Sequence, residues 1–329
     1  MAQILKIAGL IALGLVSLLG VGLLFVLNDR PNLSRLTPFA APVTEAADDG
    51  VTVTWLGAST LMFEDGETVL LVDGFVSRPS LLAQVIDRPI APDRAAIERV
   101  RARFGLHRLS AVLLTQGDIT HGFDAGTIAR DAGARVLGSS TAVQLALGAG
   151  VSAERVAIAD PARVYRFGAF SVEFIRAPAV FLGGGEDKPG LLNPLTPPAP
   201  PSAWVRGDVY AVRIGHYRGA ALIHAGSGVD LGMFDGIDSD AVFIGLRDLP
   251  KAGTAERAAY WDEAVGRTGA TRVFPIQYDD VLTQPFGVVR APPRLTGDMG
   301  EVFDQFLRFA QTDSVRFEQL RFGVQTPLY

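Results

Sequence analysis

The chain opens on an unbroken apolar run. Ile7 to Leu27 is 21 residues without a charge and with one hydroxyl, Ser17. As a helix rising about 1.5 Å per residue it spans roughly 31 Å, the thickness of a bilayer's hydrocarbon core. A cleaved signal peptide has a shorter apolar region with small residues directly after it. Here the nearest small pair, Ala40-Ala41, lies more than ten residues past Leu27, so residues 1–27 read as an uncleaved single-pass membrane anchor. Lys6 before the run and Arg30 and Arg35 after it nearly balance. The short head and large tail place the globular part outside the cytoplasm, on the periplasmic side. Residues 28–46, with Asn28, Pro31, Pro38 and Pro42, lack periodicity and read as a tether. Residues 47–329 form the globular domain.

In that domain the periodicity alternates between two and about 3.6. Val51–Trp55 alternates as a strand and ends at Gly57. Thr60–Phe63 and Thr68–Val72 flank Glu64-Asp65-Gly66-Glu67, a hairpin pattern. Ala95–Phe104 has helical spacing, followed by a short buried strand at Ala111–Leu114. A helix at Asp124–Ala132, a strand at Ala134–Gly138 and a helix at Thr141–Leu147 come next. Val164-Tyr165 with Phe170–Ile175, and Tyr210–Ile214 with Ala221–His224, are hairpins. Strands Ala241–Ile244 and Val273–Ile276 surround a helix at Thr254–Arg267, and Glu301–Gln311 closes the chain as a helix. Hairpins, then β-α alternation, then the same again predict two sheets faced by helices, an α/β protein. The Gly/Pro-rich stretch from Gly183 to Ser202 reads as a lid, a binding loop or a loose surface insertion.

Composition narrows the function. Lys+Arg 30 against Asp+Glu 35 gives a net charge of −5. The first 45 residues carry three positive and two negative charges, so the remainder carries −6. Nucleic-acid binding is not expected, since it needs clustered cations. The domain has no electrostatic pull toward anionic lipid, so its membrane contact must come from the helix. With no cysteine there is no disulfide, thiolate metal site or cysteine nucleophile.

Several segments in order resemble the metallo-β-lactamase fold superfamily, in the branch of N-acyl-phosphatidylethanolamine phospholipase D and related bacterial metal-dependent hydrolases. Val53-Thr54-Trp55-Leu56-Gly57-Ala58-Ser59-Thr60 resembles the opening strand and turn, with Ala58 where the family commonly has His. Leu71-Val72-Asp73-Gly74-Phe75-Val76-Ser77-Arg78-Pro79 resembles the LTDPxFSxR segment, with Gly74 for Pro. The stretch from Pro197 to Tyr210 resembles a segment carrying a buried Trp, here Trp204. His224-Ala225-Gly226-Ser227-Gly228 resembles the GDTG turn, and Val273–Tyr278 the PIHW strand end. The resemblance covers about residues 50–285 and implies an αββα sandwich.

It also implies where a metal would sit, and here the chain departs from the family. The H-x-H-x-D-H loop, whose ligands hold zinc, matches Thr115-Gln116-Gly117-Asp118-Ile119-Thr120-His121. Gln116, Asp118 and Thr120 replace the first His, the second His and the Asp; His121 remains. After Pro178, where a third ligand His belongs, the chain reads Ala179-Val180-Phe181. Ser227 replaces the bridging Asp, and Gln277 the last His. Zinc needs three or four His, Cys or carboxylate ligands; this set offers His121, Asp118 and Asp73. No cofactor is expected, with zinc, or a hard cation on Asp118 and Asp73, as the alternative. Gln116, Thr120, Ser227 and Gln277 can hydrogen-bond one another as a metal-free polar pocket with Asp73, Asp118 and His121.

The reading is thus a pseudoenzyme that binds an unidentified small-molecule or protein ligand. The alternative is a hydrolase of phosphodiester, amide or lactone bonds with a relocated metal near His121 and Asp118, drawing on His224. A nucleophilic set of Ser227, His121 and Asp118 lacks the G-x-S-x-G setting. His107 and His216 read as exposed, His224 as half-buried, and Asp279-Asp280 as solvated. Gly183-Gly184-Gly185 has no following Lys and is no phosphate loop.

Overall fold

The computed structural model describes residues 2–43, 50–179, 189–226, 228–283 and 288–329. Helix α1 (Ala2–Asn28) is long and apolar enough to cross a membrane. The domain then begins with strands β1 (Thr52–Trp55), β2 (Leu61–Glu64) and β3 (Val69–Val72), followed by α2 (Leu81–Val85) and α3 (Arg94–Phe104). Next come β4 (Leu109–Leu113), α4 (Ile119–Gly122), α5 (Ala125–Ala132), β5 (Arg135–Gly138), α6 (Ser140–Gly148) and β6 (Val156–Ile158). The second half has β7 (Tyr165–Phe167), β8 (Phe170–Ala177), β9 (Val209–His216), β10 (Gly219–His224) and β11 (Ala241–Gly245). It closes with α7 (Thr254–Trp261), β12 (Arg272–Ile276), α8 (Met299–Thr312), β13 (Arg316–Phe317) and β14 (Gln325–Pro327).

Two seven-stranded sheets result, ordered β14-β1-β2-β3-β4-β5-β6 and β13-β12-β11-β10-β9-β8-β7. Each half is an antiparallel meander that becomes parallel: from β3 to β6 in one sheet and from β10 to β13 in the other. Parallel neighbours need crossovers, and helices supply them everywhere except between β10 and β11, where the described residues of 225–240 form no helix. Local signals start and stop those helices. Asp93 accepts from Ala95 and Ala96 N–H to start α3, and Gly105, at φ +66°, stops it. Ser139 caps α6.

The main core lies between the sheets, with Phe63 of one sheet edge-to-face on Phe243 of the other at 5.5 Å. Ile97 and Val100 of α3, Ile128 of α5 and Ala142 of α6 cover the outside of the first sheet. Trp261 of α7 and Phe306 of α8 pack edge-to-face within the layer over the second. Arg272 ties the sheets together: its guanidinium pairs with buried Glu318 and donates to the Leu328 carbonyl at 2.6 Å. The helix expected through Arg267 passes into a π-turn at Asp262–Gly266.

Residues 29–41 run along the domain. Arg30 pairs with Asp280 at 2.7 Å, Asp29 with Arg294 at 2.7 Å, and Ala41 N–H donates to the Gln319 carbonyl. Of the Gly/Pro-rich stretch, residues 183–188 lie outside the described residues. The rest is packed rather than loose. Leu191 N–H donates to Thr141 Oγ1, and Ile90 and Ala199 exchange backbone hydrogen bonds. A Cβ on Gly148 would come within 1.9 Å of the Leu195 carbonyl oxygen, so only glycine permits that approach.

Candidate functional site

The chemistry-bearing residues gather where the strands end. Ser59 follows β1, Asp73 follows β3, Thr115 to His121 follow β4, and Gln277 follows β12. In sheets of this kind the crevice past the carboxyl ends of parallel strands is where ligands sit. Asp73 and Gln277 are both left-handed, at φ +54° and +60°, a conformation that costs a non-glycine residue energy. Their partners hold them there. Asp73 N–H donates to the Leu113 carbonyl at 2.9 Å, and Gln277 N–H to the Ala58 carbonyl at 3.0 Å. Gly74, which stands for the Pro of the LTDPxFSxR segment it resembles, donates its N–H to the His121 carbonyl at 2.7 Å. Proline has no such donor. A Cβ on Gly74 would sit 2.6 Å from Ala125 Cα.

His121 is the hub, and it is buried. Its Nδ1 lies 2.6 Å from Asp73 Oδ2 and 3.0 Å from both Ser59 Oγ and Thr115 Oγ1. Thr115 in turn gives Asp73 its N–H at 2.8 Å and its hydroxyl at 2.8–2.9 Å. The other ring nitrogen, Nε2, faces two amide nitrogens: Gln116 Nε2 at 2.5 Å and Gln277 Nε2 at 2.9 Å. This chemistry is consistent. Nδ1–H donates to the carboxylate, and the Nε2 lone pair accepts from the amides. The side chain of Gln277 is itself pressed close, its Oε1 2.4 Å from where a Gly245 Cβ would be.

The structure therefore brings Asp73, Gln116, His121 and Gln277 together. Asp118 and Thr120 bond instead to each other. Asp118 Oδ1 accepts the Thr120 N–H at 3.0 Å and its hydroxyl at 2.9 Å, capping α4. Asp118 Oδ2 faces Arg206 Nε at 3.9 Å. Burial would raise the pKa of Asp118, but neighbouring His121, the guanidinium groups of Arg206 and Arg247 and the Thr120 bond outweigh it and hold it below the ordinary value. Ser227, and Val180-Phe181 after Pro178, lie outside the described residues.

Other sequence expectations are corrected. His224 is fully buried, not half-buried; its Nε2 bonds to the Gly228 carbonyl at 3.0 Å, and its ring packs on Phe234 and Tyr260. Burial lowers its pKa to about 4, against the Gly228 bond. His216 is not exposed at its turn: its side chain is 1% accessible, tilted against Phe170 and Tyr217. Asp279 and Asp280 are not solvated. Both are buried, one paired with Arg78 at 3.0 Å and the other with Arg30. His107 is exposed, as expected.

A zinc ion bound to His121 would lie about 2.1 Å from Nε2. The two amide groups stand there, and neither is a zinc ligand of normal kind. Among the described residues no three His, Cys, Asp or Glu side chains gather as a cage. The donor set does not fit zinc.

Residues that sequence reasoning passed over matter here. Ser59 and Thr115 lie within the quoted motif segments without an assigned role, and they complete the shell of His121 and Asp73. Asp124, buried under the turn after Asp73, accepts from Val76 N–H, Ser77 N–H and Ser77 hydroxyl at 2.6–2.7 Å. Burial nonetheless raises its pKa to about 6, against the Ser77 and Val76 bonds and the charge of Arg78. Trp204, expected to be buried, is 6% exposed and packs on Phe123 at 5.1 Å over this end of the sandwich.

Among solved structures, a metallo hydrolase from the hyperthermophilic archaeon Ignicoccus hospitalis superposes with a TM-score of 0.50 at 12% identity, over 85% of this chain and 98% of that one. Isothiocyanate hydrolase from Delia radicum gut bacteria gives 0.52 at 12% identity, over 84% and 99%. A metallo-β-lactamase fold protein from Bacillus subtilis gives 0.48 at 15% identity, over 84% and 99%. With the two mixed sheets and their outer helices, the architecture is decided. The chain has the metallo-β-lactamase fold. No protein-family model matches it, and no curated protein sequence does. At this identity the metallo-β-lactamase likeness concerns the fold, and function rests on the site.

Proposed function

We propose that this is a membrane-anchored metallo-β-lactamase-fold protein that has exchanged its metal centre for a hydrogen-bonded core and works by binding a ligand or partner. The observation that carries this is the state of His121. Both ring nitrogens are already engaged, Nδ1 by Asp73 and Nε2 by the amides of Gln116 and Gln277. The rival reading is a metal-dependent hydrolase of phosphodiester, amide or lactone bonds. It needs at least two further nitrogen or carboxylate donors at Nε2, and His224 is engaged with Gly228 instead. In this reading α1 anchors the chain in the membrane and the domain lies on the periplasmic side, where it meets an unidentified small molecule or protein.

A ligand that binds only the folded state stabilises it by about 2.7 kcal/mol at 100 times its Kd. Zinc added to the chelator-treated full chain in detergent micelles is therefore expected to leave the thermal midpoint within about 1 °C. A rise of about 5 °C or more at micromolar zinc would instead favour the hydrolase.

A further inference from the structure

Next to the His121 cluster lie two guanidinium groups that the reading above does not use. Arg78 gives one nitrogen, Nη2, to Asp279, and its side chain is 1% exposed. It lies over the Phe75 ring at 4.4 Å. Its Nε and Nη1 are buried and meet no acceptor. Arg247, just past the end of β11, likewise has Nε and Nη2 buried without an acceptor. The chain contacts bring the two to one region: Asp279, which holds Arg78, also accepts the Ala58 N–H, Ala58 accepts the Gln277 N–H, and Gln277 Oε1 lies against Gly245, two residues before Arg247. Burial lowers the pKa of Arg78, Asp279 opposes this, and the charge of Arg247 lowers it further. Arg247 also acts on Asp118, as does Arg206 at 3.9 Å.

Buried N–H donors without acceptors are costly, and charged ones more so. The nearby carboxylates are already engaged: Asp279 by Arg78 and Ala58 N–H, Asp124 by Ser77 and Val76, Asp118 by Thr120. What these two guanidinium forks lack is an oxygen anion, the partner that arginine binds with two parallel hydrogen bonds.

We infer that Arg78 and Arg247 form a site for an oxyanion, a carboxylate or phosphate group, beside the metal-free cluster. The inference rests on the metal-free reading and gives it a ligand class. The site also has a relation to the anchor. Asp279 holds Arg78, and the next residue, Asp280, holds Arg30 two residues past the end of α1. The anion can come from a lipid headgroup or from free solution.

The test is calorimetric titration of the metal-stripped full chain in detergent at low salt with three probes: inorganic phosphate, butyrate and dioctanoyl phosphatidate. One saturable site per chain is expected for at least one of them. Arg247→Gln is expected to weaken it by about tenfold or more, with Arg247→Lys recovering part of the loss. Arg94→Gln, an exposed position on α3, is expected to leave it unchanged. Arg247 is the choice because losing Arg78 would strand buried Asp279 and unfold the site. Phosphatidate binding about tenfold tighter than phosphate would identify a lipid headgroup; equal affinities would identify a free anion. No saturable binding of any probe, or binding that Arg247→Gln leaves intact, would overturn the oxyanion site alone. Binding that occurs only after zinc is restored would overturn this site and the metal-free reading together.

Discussion

Replacing His121 with alanine is expected to cost about 3–5 kcal/mol of folding stability, the usual cost of leaving a buried charge without its main partner. Asp73 is the reason. Its carboxylate is fully buried, and its other donors are Thr115 N–H and the Thr115 hydroxyl. The Nδ1–H at 2.6 Å is the shortest of its contacts. Without the imidazole that carboxylate loses its main partner, and the amides of Gln116 and Gln277 lose their shared acceptor. For a chain of this size the thermal midpoint is expected to fall by about 5–15 °C, followed by tryptophan fluorescence, since Trp55, Trp204 and Trp261 are all buried. Asp73→Asn keeps the shape and removes the charge, so its effect is expected to be smaller. A His121→Ala loss below about 1 kcal/mol would show that the cluster does not hold this end of the sandwich together.

The second large effect is in acid. Two buried groups away from the cluster's centre have shifted pKa values of opposite consequence. Asp124 is raised from 3.8 to about 6, so the folded state holds its proton more tightly than the unfolded chain does. Its contribution is intact below pH 3.8 and is lost as the pH rises through 6. His224 is lowered from 6.5 to about 4, so the folded state resists protonation. Its contribution is intact above pH 6.5 and is lost as the pH falls through 4. Each shift spans a little over two pH units, or about 3 kcal/mol at 1.36 kcal/mol per unit. Between pH 4 and 6 the two nearly cancel, and these groups leave the wild type with a shallow slope. Asp124→Asn keeps an oxygen for Val76 and Ser77 N–H and removes the titration. Its stability is expected to rise by about 3 kcal/mol between pH 4 and 6.5, read from urea unfolding at a series of pH values. Equal slopes for the two proteins would contradict the assignment of Asp124.

Much of the architecture was legible in the residue pattern because most strands are continuous apolar runs. β4 and β11 read directly, and the hairpins were marked by Glu64–Glu67 and Gly215–Gly219. Strands β13 and β14 were not legible. Arg316-Phe317 and Gln325–Pro327 are short and polar, and they become strands only because β12 and β1 offer them an edge. Helix α2 has no buried face to leave a pattern.

The candidate site was half legible. Asp73, Gln116, His121 and Gln277 were placed by matching ordered motifs, since nothing local says that Gln277 reaches His121. Asp118 was expected in the same cluster. Its aspartate before Ile119-Thr120-His121 is also an ordinary helix cap, and the cap is what the fold uses. Arg78 and the Asp279-Asp280 pair were illegible because charged residues in turns look solvated. Their burial is created by partners up to about 250 residues away, such as Arg30 with Asp280.

The most direct measurement is metal content. The full chain is expressed in zinc- and manganese-supplemented medium, purified in detergent without chelator, and its metal counted per chain by mass spectrometry. Less than about 0.1 metal per chain is expected, because the position a zinc ion would take beside His121 Nε2 is held by the amides of Gln116 and Gln277. One or two tightly bound metals per chain would contradict the metal-free centre and make His121, Asp118 and Asp73 the first ligands to test.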